Sequence, residues 1–353
     1  MNTILSRRIG TGIAFVFISS LSFCFHNAVI SGTLSSPNYH IIKKIPLGGE
    51  GRWDYLTLDS SARRLYITRS TRVTVLNVDT GLVVGEIPHT AGVHGVAIAP
   101  ELSRGFISNG KAATATVFDL KTLQVIGEVK TGSNPDAIVY EPISKKVFTF
   151  NGLSNTATVF DAKTSKVLGT IALGGKPEFA AVDDLGQIFV NLEDKNEVVA
   201  INASNLQVKG HWPLKPCSEP TGIAIDRQHQ RLFIGCTNQL MSVVDGNTGS
   251  IKATLPIGKR TDAIAYDPAT KLAFSSNGEG SLTVVHEDSA DKFSIVNNVI
   301  TQPGARTMAL DLKTHKLYLD TAKFQAKSTP VVGKERSRPS IIPGTFVILV
   351  LGD

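Results

Sequence analysis

Apolar residues come in short bursts along this chain, separated by turns rich in polar residues, glycine and proline. One kind of burst alternates apolar and polar positions: "TATVFD" at Thr114 and again at Thr156, "LMSVVD" at Leu240, "SLTVVHED" at Ser281. Period-two alternation predicts strands with one buried face. A second kind is an aromatic phrase, "FISNG" at Phe106, "FTFNG" at Phe148 and "FSSNG" at Phe274, with looser forms at Tyr66, Phe233 and Tyr318. A third is a short run of small apolar residues that precedes each aromatic phrase. These runs start at Tyr55, Gly95, Ala137, Phe179, Gly222, Ala263 and Thr307, spaced by 40, 42, 42, 43, 41 and 44 residues. No helical period follows residue 32.

A period of 40 to 45 with about four strands per unit marks a β-propeller. The expected fold is therefore all-β: seven four-stranded antiparallel blades. Each unit supplies a small inner strand, the aromatic strand, the alternating strand and an outer strand such as "QVIGEV". The recurring Asp after the third strand suits a turn, because its side chain bonds its own backbone there. The seventh unit lacks an outer strand, and Tyr39–Leu47 is a spare one. Pairing it with Thr345–Leu351 closes the ring and removes the free sheet edges.

The first 32 residues differ in character. Arg7 and Arg8 precede a mostly apolar run from Ile13 to His26, the layout of a secretory signal peptide and too short for a membrane span. Residues 1–32 are expected to be removed, leaving 33–353 as a single propeller domain, periplasmic or secreted, without a membrane span and monomeric. "SRRIG" matches a twin-arginine signal in part, so the export route stays open. Loss of the two arginines takes the formal charge from +6 to +4, which calls for no nucleic acid. Cys217 and Cys236 then remain, an even number suited to an oxidising compartment. They flank two antiparallel strands that return to one rim, and a disulfide is expected, worth about 3 kcal/mol. Free thiols or a metal pair are the alternatives, the latter short of a nearby histidine.

The recurrence of an aromatic, two β-formers and Asn resembles the Tyr-Val-Thr-Asn motif of the YVTN repeat family, and the chain from residue 33 is similar to YncE-type seven-bladed propellers. "FISN", "FTFN" and "FSSN" match best; "YITR" lacks the Asn. The resemblance implies the fold and leaves the activity open.

The residues just before the seven inner strands are Asp54, His94, Asp136, Glu178, Thr221, Asp262 and Arg306, expected to form one ring at the channel mouth. Carboxylates there can hold a divalent cation, with Asp136, Glu178 and Asp262 as ligands, or set an acid beside a base. The same groups also suit structural pairing between blades. Arg306 favours that reading, since it can pair with Asp54 or Asp262. Arg52 and Trp53 offer a clamp for a small ligand, or Trp53 simply plugs the mouth. Residues 323–342 interrupt the last blade with a basic run, Lys334, Arg336 and Arg338 among others, readable as a polyanion-attracting lid or a solvated loop.

Catalytic signatures are missing: no G-x-S-x-G, H-E-x-x-H, Walker loop or C-x-x-C-H occurs. Of the eight histidines, His94 alone falls in the ring. The leading expectation is an exported module that binds a small ligand or protein at the channel mouth, with no cofactor assigned. The alternative is a metal-assisted hydrolase, lactonase-like or lyase-like, with His94 as base; fold analogy alone supplies it.

Overall fold

The structure is a computed structural model that describes Gly10 and residues 37–183, 185–325 and 340–353. The proposed signal segment, residues 1–32, lies outside the described residues apart from Gly10. Lys334, Arg336 and Arg338 also lie outside them. Ser36–Asp353 form one compact unit. It holds seven four-stranded antiparallel sheets, here blades 1 to 7. Their inner strands are Leu56–Asp59, Val93–Ala99, Pro135–Glu141, Pro177–Val182, Pro220–Asp226, Thr261–Asp267 and Met308–Asp311. Among the described residues the one helical element is a single 3-10 turn, Pro100–Leu102.

The ring closes as expected. His40–Pro46 pairs antiparallel with Val347–Gly352, from His40↔Gly352 to Pro46↔Val347, and becomes the outer strand of blade 7. The core is distributed around this ring rather than central. Seven apolar clusters form, one for each interface between neighbouring blades. The aromatic that opens each repeat phrase is the main wedge. Tyr66 packs on Phe118 of blade 2 and Phe106 on Phe160 of blade 3, each pair 5.7 Å apart. Phe233 stacks on Tyr266 of blade 6 at 5.0 Å. Such rings bury large areas and favour tilted or edge contacts.

The Asn of the phrase has its own task. Asn109 donates through Nδ2 to the hydroxyls of Thr114 (3.2 Å) and Thr116 (2.8 Å). Asn151 does the same to Thr156 and Thr158, and Asn277 to Ser281 and Thr283. The phrase recurs because one buried amide ties two hydroxyls of the facing strand. Where Asn is absent, other bonds secure the spot. Arg69 reaches the Glu50 carbonyl at 2.8 Å and lies over the Phe346 ring. Cys236 is joined to Cys217 in the expected disulfide, with Cα atoms 5.7 Å apart. The glycine after Asn109 leaves no room for a side chain: a Cβ there would stand 2.6 Å from His94 Nε2.

Replacing Asn151 with Ala removes its hydrogen bonds to Thr156 and to the buried Thr158 and should cost about 1–3 kcal/mol. Denaturant melts of wild type and variant measure this; equal midpoints would show that the amide is dispensable.

Candidate functional site

The ring residues do gather around the axis, though not as turn residues. In blades 2 to 6 they sit inside the inner strand, at an irregularity. Val93 pairs with Asn109 and Val96 with Ile107, so His94 and Gly95 together face Ser108. Asp136, Glu178, Thr221 and Asp262 fall in corresponding breaks. A bulge of this kind re-aims a side chain out of the regular pleat. Asp54 and Arg306 precede their strands, as expected. Hydroxyls of an inner strand and of an aromatic strand brace the wall: Thr221 Oγ1 donates to the Thr261 carbonyl (3.1 Å), and Ser276 Oγ donates to the Arg306 carbonyl.

Six of the seven ring residues are ionisable, and each lies within 4 Å of a group of opposite charge type. His94 Nδ1 donates to Asp54 Oδ2 at 2.6 Å and lies 3.5 Å from Asp136 Oδ1. Arg306 pairs with Asp262 at 3.2 Å and approaches Asp54 at 3.8 Å. Glu178 Oε2 lies 3.6 Å from Lys176 Nζ, while that ammonium makes its close contact with Glu193. Glu178 Oε2 is buried and has no hydrogen-bond partner. Thr221 turns to the backbone and carries no charge.

Electrostatics follow from packing like charges out of water. Burial, reinforced by Asp136 and Asp262 and opposed by Lys176, raises the Glu178 carboxyl to about 8. Burial likewise raises Asp136 to about 6 against the pull of His94, and Asp262 to about 6 against Arg306. Burial alone would lower the His94 imidazole, but the Asp54 hydrogen bond and the Asp136 charge outweigh it and raise it to about 9. Desolvation and neighbouring charge are the causes throughout.

The expected metal ligands are regrouped. The ring atoms that converge within 4.8 Å of one another belong to Asp54, His94 and Asp136, rather than to Asp136, Glu178 and Asp262 together. Arg52 is exposed, its amide bonded to Ser70 Oγ. Trp53 does not plug the channel. It packs sideways on Phe346 (5.3 Å) and Phe324 (6.0 Å), beside the closed base of the 323–342 insertion, where Phe324 bridges to Ile341.

The plug is a pair that the residue pattern left unremarked. Tyr55 of blade 1 and Phe179 of blade 4 meet edge-on, ring centres 4.6 Å apart. Blades 1 and 4 are not neighbours, so this contact crosses the axis and forms a floor under the ring. Below it lies a cavity of about 290 Å3, lined by Leu56, Val96, Ile138, Ala180 and Leu310 among others. A signal existed: the corresponding residues of blades 2, 3, 5 and 6 are Gly95, Ala137, Gly222 and Ala263, and two large aromatics among them are out of pattern. Asp320 was also missed. It is fully buried, bonded by Thr307 Oγ1 at 2.6 Å, and burial raises its carboxyl well above the usual range.

No protein-family model matches the chain, and no curated protein matches it by sequence. Among solved structures it is similar to hydrazine synthase of Kuenenia stuttgartiensis. The TM-score is 0.67 at 16% identity, over 82% of this chain and 95% of that one. At that identity the likeness shows the propeller fold and carries no chemistry across. The resemblance to YVTN-repeat propellers rests on the repeat phrases alone.

Glu178, Asp136, Asp262 and His94 all hold their protons more tightly folded than unfolded. Their stabilisation is complete below the unfolded carboxyl values and is lost as pH rises through about 6 to 9. Thermal melts across that range should show a falling midpoint, and Glu178→Gln should flatten the fall near pH 8. A variant with the wild-type slope would refute the assignment.

Proposed function

We propose that this protein is an exported binding module whose ligand is a small cationic or hydrogen-bond-donating molecule held at the channel mouth. The observation that carries this reading is Glu178 Oε2, a buried acceptor without a partner, in a ring where Asp54, Asp136 and Asp262 already have theirs. A buried carboxyl oxygen left unsatisfied is costly, and a ligand cation or N–H removes that cost. The aromatic floor gives the same ligand an apolar surface to rest on, with a cation–π contribution where the charge sits over a ring. Export is supported by the residue pattern of the first 32 positions. The Cys217–Cys236 disulfide fits it.

The hydrolase reading has no comparable support. A general base must reach the proton that it abstracts. His94 is held through Nδ1 by Asp54, and its Nε2 faces the Gly110 backbone, where a Cβ would meet it at 2.6 Å. The imidazole, raised to about 9, keeps its proton at neutral pH, the wrong state for a base.

Calorimetric titration with spermidine and with CaCl2 at pH 7.5, in two buffers of different ionisation heat, tests the binding reading. Entry of a cation converts Glu178 to its carboxylate, so binding should release up to about one proton. Glu178→Gln should abolish the buffer dependence and weaken binding by roughly tenfold. Binding of neither probe, or citrate binding better than both, would defeat the proposal.

A further inference from the structure

The opposite ends of the inner strands carry a second cluster, unrelated to the mouth. Asp226 closes the inner strand of blade 5, His229 lies in the turn after it, and Glu287 lies in the third strand of blade 6, Ser281–Ser289. His229 Nδ1 stands 2.7 Å from Asp226 Oδ2 and 3.0 Å from Glu287 Oε1. Both carboxylate side chains are buried, 2% and 1% exposed. The Tyr266 hydroxyl donates to the other Glu287 oxygen.

The repeat shows what the scaffold alone requires at these positions. The amide of Glu287 bonds the Lys271 carbonyl. The amides of Val78, Leu120, Ala162, Ala203 and Gly246 make the same bond in blades 1 to 5. Five blades thus fill this buried place with an apolar or small residue, and blade 6 alone among them puts a carboxylate there. His229 precedes Gln230, which has positive φ, as do Lys145 and Lys271. The residues before those two are Ser144 and Thr270. Two departures from the repeat, on different blades, therefore meet at one imidazole nitrogen. Asp226 is needed by its turn, where it accepts the amides of Gln228 and His229. Glu287 has no such duty.

Charge balance completes the case. The two buried carboxylates share one imidazole N–H, with the Tyr266 hydroxyl on Glu287 and two backbone amides on Asp226 as further donors; none of these adds a full positive charge, and a bound cation would supply one. The geometry suits an ion. Two ligands at the right angles of a six-coordinate site, each about 2.1 Å from a metal, stand about 3 Å apart, close to the observed separations. The three atoms lie within 4.8 Å of one another. A cavity of about 400 Å3, lined by Asp226, Arg227, Gln228 and Tyr266 among others, adjoins the cluster and gives an entry path and room for water ligands.

We infer that Asp226, His229 and Glu287 form a divalent metal site of one nitrogen and two oxygens, suited to Zn2+ or Mn2+. It lies between blades 5 and 6 on the face opposite the channel mouth. Three protein ligands leave coordination positions open toward the cavity. The Tyr266 hydroxyl orients Glu287 from outside the coordination sphere.

The test uses the full chain dialysed against EDTA, loaded with ZnCl2 or MnCl2, desalted and measured for retained metal and melting midpoint. Wild type should keep about one equivalent and gain at least about 4 °C. His229→Thr and Glu287→Ala install residues that other blades carry at those positions, so folding should survive while retention falls at least tenfold. Asp136→Asn should retain the ion as wild type does. Absence of retained metal in wild type would overturn the site, as would undiminished retention in both variants, or loss in Asp136→Asn alone. Crystals of metal-loaded wild type give a check that needs no variant: an anomalous peak within about 2.5 Å of His229 Nδ1 supports the site, and a peak elsewhere refutes it.

Discussion

The antiparallel ladder between His40–Pro46 and Val347–Gly352 holds the two ends of the propeller together. Apart from the Tyr55–Phe179 contact across the axis, blades pack on their neighbours through small apolar clusters, so each interface by itself is modest. Joining the chain ends converts that row of weak contacts into a loop in which no blade can leave without straining two interfaces. Ile45 shows the coupling at residue level. It comes from the start of the domain, yet packs with Leu56 and Leu65 of blade 1 and Ile348 and Val350 of blade 7. The ring of ionisable groups exists because closure forces seven inner strands to converge on one axis.

Much of this was legible in the residues. The period, the four-strand units and the spare N-terminal strand foretold blade count and closure, since each blade repeats the same small, aromatic and alternating runs. The ring roster was also legible, and so was the pairing of Arg306 with Asp262 and Asp54. Its local geometry was not. A bulge is a register mismatch between two strands, and nothing in "VHGVAIA" alone announces that His94 and Gly95 will share one partner. Contacts across the axis were hidden for a related reason. Tyr55 and Phe179 lie in units one and four, and no local pattern links them until the circle is drawn.

The positions that escaped notice share one property: each breaks the repeat. Asp320 stands where Ser108 and Ser276 place hydroxyls that bond the next blade, and Glu287 stands where alanine or valine would serve. A repeat protein contains its own controls, because six other blades show what packing demands at a given place. Departures from that demand are where evolution has spent stability on something besides the fold. Trp53 illustrates the converse. By sequence it suits a ligand clamp or a channel plug; in the fold its ring packs on Phe346 and Phe324.

The aromatic bridge between Tyr55 and Phe179 makes the two ends of the torus separate chambers. Propeller axes are often pictured as tunnels, but here a bulkhead two rings wide stands across the bore. Tyr55 and Phe179 stand across the path between the ends, and the void beneath them has no charged residue in its lining. Each end of the bore therefore has a surface of its own chemistry, with the Asp54, His94 and Asp136 trio at one and the Asp226, His229 and Glu287 trio at the other.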